Sequence, residues 1–168
     1  MNRTPEELSA ALVRLEDERA IERIIYSYGH VLDFEAPQAY AALFTEDAVV
    51  EIRSALVHVL GLDVPFSEAG AQLLLGQGAL RTPEGFSFTG HEALRRFVTR
   101  ERKARSLHVC SQALVDLQGR DEASAVSYLR IYRHVPGAPV ELTNFGRYLD
   151  RFKRTPAGWR ISHRICEL

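Results

Sequence analysis

Four runs in the C-terminal part of the chain decide the fold: Leu107–Leu117 reads LHVCSQALVDL, Ala123–His134 ASAVSYLRIYRH, Val140–Lys153 VELTNFGRYLDRFK and Trp159–Cys166 WRISHRIC. Each is rich in β-branched, aromatic and leucine side chains and alternates in polarity, as a half-buried strand does. Between them stand Gln118-Gly119-Arg120-Asp121, Pro136-Gly137 and Thr155-Pro156-Ala157-Gly158, residues that reverse a chain tightly. Strands joined this way make an antiparallel meander.

Working outward, the N-terminal half reads as helical. Thr4-Pro5-Glu6-Glu7 is a capping box with proline at the first helical position. Leu8, Leu12, Leu15, Ile21, Ile24, Ile25, Tyr28 and Leu32 then recur at three- and four-residue steps, which predicts one long amphipathic helix with a buried stripe, ending near Asp33. Pro37 starts a second helix expected to run through Phe44, Thr45-Glu46-Asp47 reads as a turn, and Ala48–Arg53 reads as a strand. From Ser54 to Phe88 the pattern is broken by Pro65, Gly70, Gly76, Gly78 and Pro83, and reads as a long excursion with enough apolar content to pack on something. Thr89-Gly90-His91-Glu92 is a second capping box, and Leu94, Phe97 and Val98 mark a helix expected to reach about Ala104. Helices first and a meander last define an α+β domain occupying residues 1–168, its curved sheet wrapped around about three helices.

Composition narrows the function. The 168 residues carry 21 basic and 22 acidic side chains, a net charge of −1, so no global field draws the chain to nucleic acid or to an anionic membrane. The most apolar stretch, Ala55–Leu62, is far too short to span a bilayer, and the charged first helix is no signal peptide; the expectation is a cytoplasmic protein. Two cysteines, Cys110 and Cys166, make no disulfide framework. The histidines fall at no metal-ligand spacing and no glycine-rich phosphate loop follows a strand, so neither a metal nor a cofactor is expected. The basic run through Arg95, Arg96, Arg100, Arg102, Lys103 and Arg105 reads as a solvated helix end.

Particular residues add to this order of elements: Tyr28 and Asp33 at the end of the first helix, Leu43-Phe44-Thr45-Glu46-Asp47-Ala48, Gly90-x-Glu92-Ala93-Leu94, His108 at a strand start, Gly146-x-Tyr148-x-Asp150 and Gly158-Trp159-Arg160-Ile161. With them nearly the whole chain resembles the SnoaL-like, scytalone dehydratase-like branch of the nuclear transport factor 2-like superfamily, which includes dehydratases and polyketide cyclases. The resemblance implies an α+β cone, a hydrophobic polycyclic or aromatic small molecule as substrate, and a homodimer or higher homo-oligomer formed through the outer face of the sheet. It also implies that Asp33 orients a catalytic His108 and that Tyr28 assists, with Gln112 standing where many relatives have asparagine.

The chemistry suits these residue types. Histidine titrates near neutrality, and a carboxylate on its other ring nitrogen fixes the tautomer and stabilises the imidazolium. By alternation His108, Cys110, Gln112 and Leu114 share one strand face; Tyr128, Arg130, Tyr132 and His134 share a face of the next, and Asn144, Gly146, Tyr148 and Asp150 a face of the third. Alternation does not say which faces meet a pocket, so Tyr132, Asn144 and Tyr148 stand as candidate lining residues beside Gln112. Arg164 reads as a structural ion-pair partner. The function expected is a cofactor-independent lyase or isomerase, with a non-catalytic binding module, or a structural subunit like the small subunit of ring-hydroxylating dioxygenases, as rivals.

Overall fold

The computed structural model describes residues 3–34, 36–54, 67–98 and 105–168. Positions 55–66 of the expected excursion, and the stretch 99–104 with Arg100, Arg102 and Lys103, lie outside the described residues.

Helix α1 spans Pro5–Phe34 and begins at the expected cap: the Glu7 amide donates to Thr4 Oγ1 at 3.2 Å, and the Thr4 amide donates to Glu7 Oε2 at 2.8 Å. Its buried stripe starts only at Ile21 and continues through Ile25, Tyr28, Gly29 and Leu32. Leu8, Leu12 and Leu15, expected to be part of that stripe, are exposed. The reason is the length of the sheet: the N-terminal half of α1 runs past the turn at Gln118–Asp121, and Asp17 ties it there by accepting from Trp159 Nε1 at 3.0 Å and Arg154 Nη2 at 2.6 Å. Those two bonds hold the Asp17 carboxyl below its usual range against the opposing effect of burial.

Helix α2 is shorter than expected, Pro37–Ala41, because Phe44 already belongs to strand β1, Phe44–Arg53. The expected turn at Thr45-Glu46-Asp47 lies inside that strand as an irregularity: pairing with the strand Gly158–Glu167 shifts between Phe44 and Val49, and Thr45 Oγ1 donates to Asp47 Oδ1 at 2.8 Å. The described part of the excursion is ordered. Helix α3, Glu68–Gly76, is capped by Ser67 Oγ, which accepts from the Gly70 amide at 3.1 Å; β2, Leu80–Thr82, and β3, Gly85–Thr89, form a hairpin that pairs with β1. Phe86 and Phe88 point from β3 into the core. Helix α4, Gly90–Val98, follows directly, and its Glu92 pairs along the helix with Arg96.

Strands β4, Arg105–Leu117, β5, Glu122–His134, β6, Glu141–Thr155, and β7, Gly158–Glu167, form the expected meander. The seven strands lie in the order β2-β3-β1-β7-β6-β5-β4, antiparallel throughout except for the parallel β1–β7 pair. The sheet is therefore unclosed, with β2 and β4 at its edges and β7 at its centre. Register shifts interrupt the ladders between Ser111 and Leu114, between Ile131 and Tyr132, and between Arg151 and Phe152. Bulges of this kind bend a strand and sharpen its twist, which curls the long strands around α1. The enclosed core joins Ile21, Ile25 and Tyr40 to Phe152, Trp159 and Ile161.

Candidate active site

The site begins with a glycine. Gly29 is buried in the C-terminal part of α1, and a Cβ there would stand 2.0 Å from the His108 carbonyl oxygen, so the helix reaches β4 only because that atom is absent. Asp33 lies four residues on, on the same helix face, and comes down over His108. Asp33 Oδ1 lies 2.6 Å from His108 Nδ1, and Oδ2 accepts from the His108 backbone amide at 2.6 Å. One carboxylate thus holds both the ring and the main chain of the same residue.

An ionised carboxylate only accepts, so Nδ1 must carry the proton it contributes to this bond, and in the neutral ring Nε2 then carries the lone pair. Nε2 has no hydrogen-bond partner among the described residues. The Asp33 side chain is 1% exposed and that of His108 12%. The carboxylate is therefore shielded while the ring keeps an accessible edge. The arrangement can take a proton at Nε2 and stabilise the resulting imidazolium without moving.

Tyr28 is buried one helical turn earlier, in a different cluster. Its hydroxyl lies 3.1 Å from that of Tyr40, and its ring stands edge-on to Tyr148 at 5.3 Å between centroids. The Arg164 guanidinium lies between these two rings, 4.0 Å from the Tyr28 centroid and 3.9 Å from that of Tyr148, and makes a two-point ion pair with Asp150 at 2.7 and 2.6 Å. Arg164 is thus the ion-pair partner the sequence suggests, packed by cation–π contacts. Burial pushes the Tyr28, Tyr40 and Tyr148 phenols above their ordinary range, so all three hold their protons at neutral pH. It also raises Cys110 to about 11 and Cys166 to about 12, which leaves both thiols protonated and poor nucleophiles.

The other sequence candidates separate. Gln112 has φ +53 and is exposed: it occupies the bulge between Ser111 and Leu114, so the strict alternation that grouped it with His108 and Cys110 breaks there, and Ala113, Val115 and Leu117 turn inward instead. Tyr132 follows Tyr128 and Arg130 on the outer face of β5, because the inward positions are Ala123, Ala125, Ser127 and Leu129. Asn144 is exposed, but it pairs with Ile131, which pairs with His108, so it lies in the same cross-strand row two strands away. Tyr148 alone of the four is in the core, against Arg164. Sequence reading missed Gly29 and Tyr40. The signal for the first was a glycine in a helix interior one turn before a carboxylate, and for the second an aromatic on the short α2 facing the Tyr28 stripe. Among the described residues no group of His, Cys, Asp and Glu side chains could hold a metal ion.

A long helix laid in the hollow of a curved, unclosed sheet, with a carboxylate–histidine pair between helix and edge strand, defines an α+β cone of the nuclear transport factor 2-like kind. The SnoaL-like domain model matches residues 13–165, and the chain belongs to that family. Among solved structures it is similar to an NTF2-like protein with a cystatin-like fold from Novosphingobium aromaticivorans, at 22% identity and a TM-score of 0.72 over 98% of this chain and 90% of that one. It is also similar to a candidate scytalone dehydratase from the same organism (22% identity, TM-score 0.64, 92% and 85% covered). A third is the beta subunit of a candidate aromatic-ring-hydroxylating dioxygenase, again from that organism (18%, 0.68, 93% and 90%). At these identities the likeness is one of fold. A comparison with curated proteins finds no match. Among the described residues no helix is long and apolar enough to cross a membrane.

Proposed function

We propose that the chain is a cofactor-independent lyase or isomerase acting on a hydrophobic polycyclic or aromatic hydroxy ketone. The observation that carries this reading is the double hold of Asp33 on His108, which leaves Nε2 as a pre-oriented base. His108 removes a proton from the carbon next to the carbonyl, and the C–H electron pair passes into an enolate. For dehydration the C–O bond to a β-hydroxyl then breaks and the oxygen leaves as water with a proton returned by the imidazolium; for isomerisation that proton is returned to carbon. No electrons are gained or lost in either case.

Asp33 acts through His108 and is a positioning residue. Tyr28 is assigned to polarise the substrate oxygen: when Tyr40 donates within their hydroxyl pair, the Tyr28 proton is available to an acceptor. Tyr148 supports that phenol from across Arg164, and Asn144 in the His108 row is assigned to the rim.

The test needs no identified natural substrate. A panel of aryl and polycyclic hydroxy ketones is incubated with the protein in D2O, and deuterium entry next to the carbonyl is followed by NMR. Exchange that depends on protein and is lost in His108→Ala supports the reading. Exchange retained in His108→Ala refutes the mechanism, and a panel that binds without exchange moves the chain to the class of binding modules.

A further inference from the structure

The N-terminal half of α1 carries an amphipathic stripe that none of the other described residues covers. Leu12 and Leu15 are 57% and 56% exposed, Tyr26 on the same side is 43% exposed, and with Glu16, Arg19, Glu22, Arg23 and His30 they line a groove of about 860 Å³ along the helix. An apolar stripe at helical spacing, left bare on a helix otherwise well capped and anchored through Asp17, is the form of a helix–helix contact surface.

Its charges identify the partner. Glu16 and Arg23 have no ion-pair partner among the described residues, whereas Arg19 leans on its own Glu22 at 3.7 Å. Reversing the helix about an axis near positions 19 and 20 interchanges positions 16 and 23. A second copy of the same helix, laid antiparallel, therefore puts Glu16 opposite Arg23 twice, sets Leu12 beside Tyr26, and leaves the axial Arg19 already neutralised by Glu22. The stretch from Leu8 to His30 is roughly 33 Å long at about 1.5 Å per residue, enough for several turns of contact. A surface that complements itself under a two-fold is what an isologous interface requires.

We infer that this face of α1 is an interface between two copies of the chain, paired antiparallel about a two-fold axis near Arg19, with reciprocal Glu16–Arg23 ion pairs. The interface is independent of the Asp33–His108 site and of the outer face of the sheet, where Leu114, Tyr128 and Phe145 are exposed.

Sedimentation velocity on the full chain tests it. The wild type is expected to assemble by a two-fold. Glu16→Arg or Arg23→Glu alone, each placing like charges opposite one another twice, is expected to halve the mass at a concentration where the wild type is assembled, and the double exchange E16R/R23E to restore it. Leu12→Asp is expected to halve the mass with no rescue. These side chains are exposed in the single chain, so the far-ultraviolet circular dichroism of the variants is expected to match that of the wild type and to separate lost assembly from lost folding. A wild type with the mass of one chain overturns the inference. So does a mass unchanged in E16R and R23E, a double exchange that fails to restore it, or an assembly lost in Phe145→Glu but intact in E16R.

Discussion

Gly29→Ala sets two effects of opposite sign against each other, and the structure decides between them. In an open helix the change adds about 1 kcal/mol of stability, because alanine is the better helix former. Here the new Cβ would stand 2.0 Å from the His108 carbonyl oxygen, against an ordinary contact of 3.4 Å or more, a shortfall of about 1.4 Å. The obstructing atom is main chain and cannot rotate away, so α1 and β4 must separate. Overpacking of this kind costs up to about 3 kcal/mol, and the balance is a net loss of about 2 kcal/mol. For a domain of this size that lowers Tm by about 4–8 °C. If the separation is taken up along the Asp33–His108 direction, their 2.6 Å contacts open to about 4 Å, beyond hydrogen-bond reach. Proton exchange then falls about 10²-fold, the usual penalty for a displacement of about an ångström at a reacting group. The assay is a thermal melt with the D2O exchange measurement on the same sample. A Tm at or above the wild type would refute the reasoning, since it would mean that Gly29 behaves as a solvent-facing helical position.

Three further expectations rest on other contacts. Asp33→Asn keeps the shape but can no longer accept at both oxygens, so exchange is expected to fall about 10²–10⁴-fold while far-ultraviolet circular dichroism stays unchanged; an undiminished rate would remove Asp33 from the mechanism. Arg164→Leu strands the Asp150 carboxylate in the core and is expected to cost about 3–5 kcal/mol in urea melts, most of it recovered in Arg164→Leu/Asp150→Leu; a double variant no better than the single would mean that the cation–π contacts with Tyr28 and Tyr148 carry the stability. Glu51, although partly desolvated, is held below the ordinary glutamate range by Arg53 and His163. Its contribution is present above that range and is lost as pH falls through the depressed value. The Tm difference between the wild type and Glu51→Gln is therefore expected in full at pH 7 and to shrink as the pH is lowered below the ordinary glutamate range; a difference that does not shrink on acidification would point to packing instead.

The meander was readable because its strands are long and their inward residues alternate over most of their length: Ala123, Ala125, Ser127 and Leu129 on β5, and Tyr148, Asp150 and Phe152 on β6, needed only the period of a pleated strand. What alternation cannot carry is an extra residue. At Gln112 one inserted position moved the side chain from the expected lining to the outside, and no residue type there announces it, since glutamine is not a usual occupant of a left-handed conformation. The excursion hid a helix because Leu73-Leu74-Leu75 has no polar face to set its period, and it hid β3 because Phe86-Ser87-Phe88-Thr89 is short and follows two turn formers. Asp33 and His108 stand 75 positions apart, so their meeting was legible only through resemblance to a family. The leucines of α1 show the converse: periodicity reported a stripe correctly, but whether anything covers a stripe depends on where the sheet ends.

The place of β7 bears on how the chain reaches this shape. Among the described strands it is the last in chain order and the middle one in the sheet, joined to β1 on one side and β6 on the other. Until Gly158–Glu167 has emerged from a ribosome, the β1–β3 hairpin assembly and the β4–β6 meander are two half-sheets, each with a bare edge, and Phe44 has yet to meet Ile161. A partner across more than a hundred residues must close a long loop before it returns any contact. Assembly of the cone therefore waits on a single strand, and the interval before that strand docks, with complementary strand edges open to neighbouring nascent chains, is when exchange of β7 between copies competes with folding.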